Sequence, residues 1–179
     1  MMDAFKGKLT QGFSRAVKDL GIALGDFFFP GVCLVCGEDA QSLPLCKECL
    51  DKLQPVDEVY TREDLRIRAW ARFTYPLDKL VYAFKYNHHR GLARFFASRL
   101  AGTIDSDKDY NSADGLVPIP LHPVKKWLRT YNQSELISRA LSRQTGIPVF
   151  SLLKRNRMTR TQIRLDEDAR RRNVAGAFS

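Results

Sequence analysis

The stretch Val117–Leu141, VPIPLHPVKKWLRTYNQSELISRAL, decides how the rest of the chain is interpreted. It begins as a short apolar run broken by two prolines, continues through a basic loop, and ends in a helix. Asn132 is the predicted N-cap of that helix, and Glu135 follows three residues later in a variant of the capping box. A strand that ends in a basic loop and leads into a capped helix is how open α/β sheets present a ligand crevice. We therefore expect an anionic ligand at this stretch.

The positive charge of the chain is concentrated in the half that contains this stretch. Residues 1–90 hold 13 Lys/Arg against 12 Asp/Glu, net +1, whereas residues 91–179 hold 16 against 8, net +8, which together give the net charge of +9. Phosphate, nucleotide or nucleic acid is the expected partner of such a surface. Solvated basic helix faces are the alternative, because charge balance describes association rather than fold.

Downstream, the sequence indicates where the capped helix ends and where two further elements begin. The helix is expected to end at Gly146. Val149–Leu153 is short and apolar, which predicts an edge strand. The segment 154–172 is strongly basic, and Asp166 is the predicted N-cap of a short helix that runs through Asn173.

Upstream, the sequence predicts one strand followed by two helices. Arg66–Tyr75 alternates with the period of a strand and places five apolar side chains on one face: Ile67, Ala69, Ala71, Phe73 and Tyr75. Pro76 is expected to open the first helix. A second helix from Leu92 is expected to stop at Gly102. Residues 51–66 are charged and indicate a connector between two parts of the chain.

The first 30 residues predict a separate helix. Apolar side chains recur every three or four positions over residues 4–28. Balanced charges favour a helix docked on the protein body over a membrane-surface helix. No stretch approaches the ~18 uninterrupted apolar residues that a membrane span needs, and the early apolar run lacks the basic start of a signal peptide. We therefore expect a cytoplasmic protein.

The four cysteines of the chain form the most specific motif. Cys33, Cys36, Cys46 and Cys49 follow the pattern C-x2-C-x9-C-x2-C, and Gly37 directly after the first pair permits a tight turn. Four thiolates at this spacing can converge on one tetrahedral Zn²⁺, and a closed set of four ligands is typical of a structural site. An iron–sulfur cluster or two disulfides are the alternatives, but paired spacing in a cytoplasmic chain favours zinc.

Taken in chain order, these segments resemble the ComF family of phosphoribosyltransferase-like proteins, which is associated with competence and DNA uptake in bacteria. The resemblance covers nearly the whole chain, and its pieces are FFFPGVCLVCG with the four cysteines, FKY at Phe84–Tyr86 followed by Leu92 and Ala93, VPIPLHP at Val117–Pro123, Arg129 with YNQ at Tyr131–Gln133, Thr159, Gln162, Leu165, Arg170, and NVAGAF at Asn173–Phe178. The family's glycines are replaced near His88 and at Thr130. Because threonine resists positive φ, we expect a different loop path at Thr130.

The resemblance also implies an element that does not occur within these 179 residues. Family members carry, after the GAF run, a strand with two acidic residues and a Thr-Thr-Gly loop that holds the 5-phosphate of phosphoribosyl pyrophosphate (PRPP). This sequence stops at Ser179 before such a motif. The expected fold is therefore α/β, an incomplete type I phosphoribosyltransferase-like domain preceded by a small zinc module. The expected division is an N-terminal helix at 1–30, a zinc knuckle at 31–54 and the truncated domain at 55–179.

The resemblance and the charge together define a candidate binding site, but no catalytic residue. Seven residues are candidates for contacts to phosphate, PRPP or nucleic acid: Lys85, Tyr86, Lys125, Lys126, Arg129, Asn132 and Gln133. Lys85 is also compatible with a role in complementing the helix dipole, and Arg129 with a surface cation.

The expected function is DNA uptake through binding of single-stranded DNA, with Trp127 and Tyr131 stacking on bases. PRPP with Mg²⁺ is the enzyme-like alternative, and an inactive truncated remnant is the third. A competence helicase or another DNA-processing protein is a further expected partner. Whether the chain is an enzyme stays open at this point.

Overall fold

The computed structural model describes residues 31–41, 44–160, 162 and 165–179. The predicted helix within residues 1–30 lies outside this range. The described residues form two compact units, of which the first ends at Leu53 and the second runs from Gln54 to Ser179. In the first unit, Val32 pairs with Asp39 in an antiparallel bridge, and helix α1 spans Lys47–Asp51.

The second unit begins with a two-stranded antiparallel hairpin. Strand β1 is Val59–Arg62 and strand β2 is Leu65–Arg68, with Tyr60 opposite Ile67. The two-residue turn between them contains Glu63 at φ 54°. The sequence did not predict strand β1. Residues 51–66 predicted a connector because charged residues obscure the alternation of a strand there.

The strand predicted over residues 66–75 is wrong beyond Arg68. Pro55 pairs with Ala71 at an offset of one residue from the hairpin register, so a bulge breaks the strand. A shift of one residue exchanges the two faces of a strand. Ala71 is therefore buried, whereas Ile67 of the same predicted face is 47% exposed; Phe73 lies beyond the bridge and is 67% exposed.

Two helices with buried apolar stripes follow. Helix α2 spans Leu77–Tyr86 and buries Leu77, Leu80 and Phe84, as the sequence predicts, whereas Val81, predicted for the same stripe, is only half-buried. Helix α3 spans Leu92–Asp105 and continues past Gly102, where the sequence predicted its end. Glycine costs about 1 kcal/mol inside a helix, which is too little to end one whose last turn still packs. Here Ile104 packs against the core beyond Gly102.

Two short helices occupy segments where the sequence predicted turns or loops. Helix α4, Lys108–Asn111, is capped by Asp107, whose side chain accepts a hydrogen bond from the Asp109 amide. Helix α5, Pro123–Arg129, replaces the predicted basic loop. His122 caps α5, since its Nδ1 accepts a hydrogen bond from the Val124 amide at 3.3 Å, and Pro123 occupies the first helical position.

Helix α6 spans Gln133–Thr145 and ends at Gly146, as predicted. The Asn132 side chain caps its start by accepting a hydrogen bond from the Ser134 amide at 3.2 Å. The reciprocal half of the capping box does not form, because Glu135 pairs with Lys126 and Arg139 instead. Helix α6 packs along α3, and Ala97, Ala140 and Leu141 form the buried contact.

The apolar runs at Val117 and Val149 do not form the predicted strands. Leu116 and Val149 share a single parallel bridge, in which the Phe150 amide donates to the Leu116 carbonyl at 2.9 Å. Residues 117–120 have no regular structure. Pro118 and Pro120 lack the amide hydrogens that a ladder would need, so the pairing ends after one bridge.

The C-terminal segment folds back on the basic run. Helix α7 spans Glu167–Val174, and Asp166 caps it as predicted by accepting a hydrogen bond from the Ala169 amide at 2.7 Å. Arg155 and Phe178 then pair in an antiparallel bridge. The described residues thus form a mixed helix and strand structure. None of the helices they contain is long and apolar enough to cross a membrane.

Candidate metal centre and basic cleft

The sulfur atoms of Cys33, Cys36, Cys46 and Cys49 all lie within 4.8 Å of one another. Tetrahedral bonds of about 2.3 Å from zinc to sulfur require sulfurs about 3.8 Å apart, which this cluster can provide with small adjustments. The Sγ atoms of Cys36 and Cys46 are 3.5 Å apart, far beyond the ~2.05 Å of a disulfide, and none of the four cysteines is disulfide-bonded. The cluster can hold a metal ion.

Local backbone geometry brings the two cysteine pairs together. After the first pair, Gly37 takes a left-handed conformation at φ 83°, as predicted, and its amide donates to the Cys33 carbonyl at 2.9 Å. The second pair surrounds the start of α1, where Cys46 is the N-cap and Cys49 lies in the first turn. A turn and a helix start thus each present two sulfurs to one point.

The environment of Cys33 favours the thiolate form that metals bind, whereas the pKa of Cys36 is raised. Burial of Cys33 opposes ionisation, but hydrogen bonds from the backbone of Cys36, Cys46 and Val35 outweigh it and lower the pKa of the Cys33 thiol to about 6. Cys33, Cys46 and Cys49 are buried, whereas Cys36 is exposed. Soft thiolate donors in a closed set of four suit zinc or an iron–sulfur cluster better than Mg²⁺ or Ca²⁺.

The second unit contains a cavity of about 580 Å³ whose walls are strongly basic. We call it the basic cleft. Its walls come from the end of α2, the segment before α5, α5 itself and the C-terminal segment. Its lining residues are Lys85, Tyr86, Ile119, Leu121, Lys125, Leu128, Arg129, Arg155, Thr159, Arg160, Gln162, Val174 and Phe178.

Among the residues that the structure describes, five cations and no carboxylate line the basic cleft. Desolvation, followed by the charge of Arg129, lowers the pKa of Lys85. Desolvation and the charges of Arg155 and Arg129 lower the pKa of Lys125. Within the described part of the chain, no Asp or Glu side chain pairs with any of the five. Their mutual repulsion is unrelieved, so an anion entering the cleft would be stabilised by all of them.

The structure brings four of the seven predicted site residues together in the cleft: Lys85, Tyr86, Lys125 and Arg129. Arg129 also lies over the Tyr86 ring, with its guanidinium carbon 5.3 Å from the ring centroid. These four residues come from the end of α2 and from α5, which are about 40 residues apart in the chain.

The other three predicted site residues are not part of the cleft lining. Lys126 donates to Glu135 at 3.3 Å, so this cation has a partner on α6. Asn132 is buried at the start of α6, where its Nδ2 donates to the Ile119 carbonyl at 3.0 Å. Gln133 is buried in the first turn of α6.

Arg155 and Arg160 line the cleft but were not singled out in the sequence, where they are two of many cations between residues 154 and 172. Arg155 is positioned by the bridge to Phe178, and its guanidinium carbon lies 5.1 Å from the Phe178 ring centroid. Its Nη2 also donates to the Thr159 hydroxyl at 2.5 Å. In the sequence, only the family resemblance at Thr159 and Phe178 indicated that this region could contribute to the site.

The proposed stacking role of Tyr131 is wrong. Tyr131 is 5% exposed, its hydroxyl donates to the Phe84 carbonyl, and its ring packs against Phe84 at 5.7 Å between centroids. A ring buried on all sides cannot accept a base. Trp127 is 79% exposed but is not part of the cleft lining.

Two loops have left-handed residues at the positions where the family's glycines are replaced. Thr130 has φ 64° and His88 has φ 58°. The two residues contact each other, with the Thr130 hydroxyl 3.3 Å from Nδ1 of His88, and Arg90 donates to the same hydroxyl at 3.2 Å. The expected departure from positive φ at Thr130 is therefore wrong, because these side-chain contacts offset its cost.

Comparisons with known proteins support the resemblance. Competence protein F of Haemophilus influenzae is 29% identical over 159 residues, which cover 83% of this chain and 69% of that protein. DNA utilization protein YhgH of Salmonella typhimurium is 30% identical over 153 residues, covering 82% of this chain and 63% of that protein. The chain is a homologue of ComF-family proteins.

This ComF-family homologue has a further similarity to YhgH of Escherichia coli O157:H7, with 27% identity over 88% of the chain and 73% of that protein. The chain therefore spans roughly two thirds of the length of these relatives. No family model matches the chain. No solved structure matches it either.

The motif pieces of this ComF-family homologue converge on the basic cleft. Lys85 and Tyr86 come from FKY, Ile119 and Leu121 from VPIPLHP, and Val174 and Phe178 from NVAGAF. Arg129, Thr159 and Gln162, which also carry the resemblance, line the same cleft. Segments spread over nearly 100 residues thus meet at one cavity, which makes it the leading candidate for the ligand site.

Proposed function

We propose that this chain acts in DNA uptake and binds single-stranded DNA through the basic cleft. The observation that carries the proposal is the set of five cations, without a carboxylate, around a cavity of about 580 Å³. The relatives named for competence and for DNA utilization supply the biological context. A DNA-processing partner such as a competence helicase would deliver or receive the strand.

Binding would rest on neutralisation of backbone phosphates. Desolvation and the nearby charge of Arg129 lower the pKa of both Lys85 and Lys125, so phosphate oxygens placed among these cations replace repulsion by attraction. Each phosphate that a cation neutralises releases a condensed counterion, so affinity should fall steeply with salt. Apolar wall residues such as Ile119 and Leu128 exclude water from these contacts and strengthen them.

PRPP is the second candidate ligand, because the same cations suit a pyrophosphate group. The phosphoribosyltransferase-type fold and an associated role for Mg²⁺ remain proposals that rest on the resemblance. The described residues of the cleft lining include no carboxylate that could hold Mg²⁺, so we propose that the ion would enter with the phosphates of the ligand.

Zinc is the metal that we propose for the four-cysteine cluster. Four thiolates leave no open coordination position, so the ion would stabilise the first unit rather than take part in a reaction. The segment between Val32 and Leu53 contains little apolar surface, and a metal ion would supply the missing folding free energy.

The decisive experiment compares a cleft double variant with a matched control. Lys125→Ala with Arg129→Ala removes two cleft cations, whereas Lys126→Ala removes a cation of the same helix that pairs with Glu135. Binding of oligodeoxythymidine would be measured by fluorescence anisotropy from low to high salt. For single strands the slope of log affinity against log salt changes by about 0.7 per phosphate contact, so the double variant should lose about 1.4 from the slope.

Lys126→Ala should keep the wild-type slope within error. An affinity that is independent of salt in the wild-type protein, or an equal loss in both variants, would contradict binding in the cleft. Competition by PRPP with Mg²⁺ at concentrations that leave a simple phosphate control inactive would instead favour the enzyme-like ligand.

A further inference from the structure

A second cavity of about 590 Å³ adjoins the basic cleft along the last turns of α2. We call it the aromatic cavity. Its lining residues are Phe73, Asp78, Lys79, Val81, Tyr82, Lys85, Tyr86, Gln162 and Arg170. Lys85, Tyr86 and Gln162 belong to both linings, so the two cavities share a wall.

Three exposed rings line the aromatic cavity, although hydrophobic packing does not require any of them. Tyr82 is 59% exposed, Phe73 67% and Tyr86 39%. Leu77, Leu80 and Phe84 already provide the buried stripe of α2. Tyr82 and Tyr86 lie one turn apart on the outer face of this helix, where lysine or glutamate would serve stability equally well.

Two of these rings extend a row of stacked side chains that begins with Arg129 in the basic cleft. Arg129 lies over Tyr86 at 5.3 Å, and the Tyr86 ring contacts Tyr82 with centroids 4.8 Å apart. Within the described part of the chain, no ring contact joins Phe73 to either tyrosine. Phe73 and Tyr82 both line the aromatic cavity as separate exposed rings, so a planar group that enters it would meet an aromatic face.

We propose that the aromatic cavity takes a base of the same single strand whose phosphates occupy the basic cleft, with Tyr82 as the stacking platform. This inference rests on the proposed function and adds to it a subsite for the base. Neither a free phosphate nor PRPP carries an aromatic group that could stack on the exposed rings. A nucleotide carries both a charged group and a planar aromatic group, and the two adjoining cavities match this combination.

The charges around the aromatic cavity agree with such a ligand. The lining of the aromatic cavity contains three cations and one carboxylate, so positive charge is in excess. The cations are Lys79, Lys85 and Arg170, and the carboxylate is Asp78. The backbone of the strand would therefore be attracted on both sides of the shared wall. Since every base has an aromatic face, stacking on Tyr82 should tolerate any sequence.

The test uses Tyr82→Leu and Tyr82→Phe in the full chain, with two probes of equal length: oligodeoxythymidine and a fully abasic oligodeoxyribose phosphate. Stacking contributes about 1–3 kcal/mol per base, equivalent to a loss of roughly 5- to 150-fold. Tyr82→Leu should weaken oligodeoxythymidine binding by at least 5-fold and leave both the abasic probe and the salt slope unchanged. Tyr82→Phe should bind both probes like the wild type, because it keeps the ring.

The outcomes separate this inference from the proposed function. If the wild type binds oligodeoxythymidine with a steep salt dependence but Tyr82→Leu binds it equally well, the base subsite is wrong and the basic cleft stands. A Tyr82→Leu variant that weakens both probes alike also overturns the subsite. If the wild type binds neither probe, the proposed function fails and the subsite falls with it. Because Tyr82 is largely exposed, unchanged thermal unfolding should show that each variant is folded.

Discussion

Asn132 connects the wall of the basic cleft to the start of α6 through a single side chain. Its Oδ1 accepts a hydrogen bond from the Ser134 amide, and its Nδ2 donates to the carbonyl of Ile119. Ile119 lines the cleft. The Asn132 side chain thus caps α6 and also holds the cleft wall at Ile119 by a hydrogen bond.

We expect Asn132→Ala to destabilise the protein by about 1–2 kcal/mol, because it removes an N-cap and leaves a buried site without its amide. Asn132→Ser is the matched control, since serine keeps an acceptor for the Ser134 amide but lacks the donor to Ile119. It should lose less than Asn132→Ala. The free energy of unfolding in urea measures both, and equal losses would show that the cap itself contributes nothing.

Lys125 and Lys126 show how adjacent residues of one type acquire different roles. Lys125 lines the basic cleft, while Lys126 donates to Glu135. Successive residues of a helix point about 100° apart, so only one of the pair can face a given wall. In a loop, which the sequence predicted here, both could have faced the ligand.

At the scale of elements, α3 and α6 provide the frame on which the cleft is built. The small residues Ala97 and Ala140 lie in their buried contact and allow the two helices to approach closely. Leu100 and Ile104 extend the contact towards the end of α3. This pairing places the capped start of α6 beside the end of α2. The hydrogen bond from Asn132 to the Ile119 carbonyl lies at the same place.

The two glycines of this frame should respond oppositely to alanine. Gly146 ends α6 at φ 78°, and Gly102 lies inside α3, with open space around the position of a Cβ atom in both cases. Gly146→Ala should cost about 1–2 kcal/mol, because a left-handed conformation strains any residue with a Cβ. Gly102→Ala should stabilise by about 0.5–1 kcal/mol, because alanine is the better helix former.

Urea unfolding of both variants measures the two effects in one assay. Each substitution adds the same methyl group and meets no neighbouring atom, so the backbone conformation is the only difference. Loss of stability in both variants would mean that Gly102 is needed for a contact that the helix geometry does not reveal.

At the scale of the whole molecule, the first unit depends on the four cysteines and the second on a hydrophobic core. Of the five largest fully buried side chains among the described residues, Leu80, Leu92 and Pro76 belong to the second unit and Pro44 and Leu45 to the first. The first unit buries three of its four cysteines and only a few apolar residues. The two units should therefore respond differently when metal is removed.

We expect one zinc per chain after dialysis, and a strong chelator should unfold the first unit while the second stays folded. Metal binding of this kind is worth about 10–16 kcal/mol in small zinc modules. Cys49→Ser should lower the zinc content, whereas Lys47→Ala, on the same helix, should not. Elemental analysis gives the metal content, and amide hydrogen exchange reports on each unit separately. A zinc content well below one per chain in the wild type would contradict the assignment.

The local elements were determined by the sequence itself. The capped start at Asn132, the stop at Gly146 and the cap at Asp166 were all predicted, and the four cysteines lie together as their spacing indicates. Caps, turns and ligand pairs depend on residues within about four positions of each other. Such short-range geometry can be read from the chain alone.

Tertiary structure alone decided which side chains meet. It placed Arg155 beside Lys125 in the cleft, buried the ring of Tyr131 and left that of Tyr82 exposed. A bulge after Arg68 exchanged the faces of a strand, and two prolines ended a pairing that apolar content alone would have continued. The direction of a side chain depends on partners brought from far along the chain, and no local pattern contains that information.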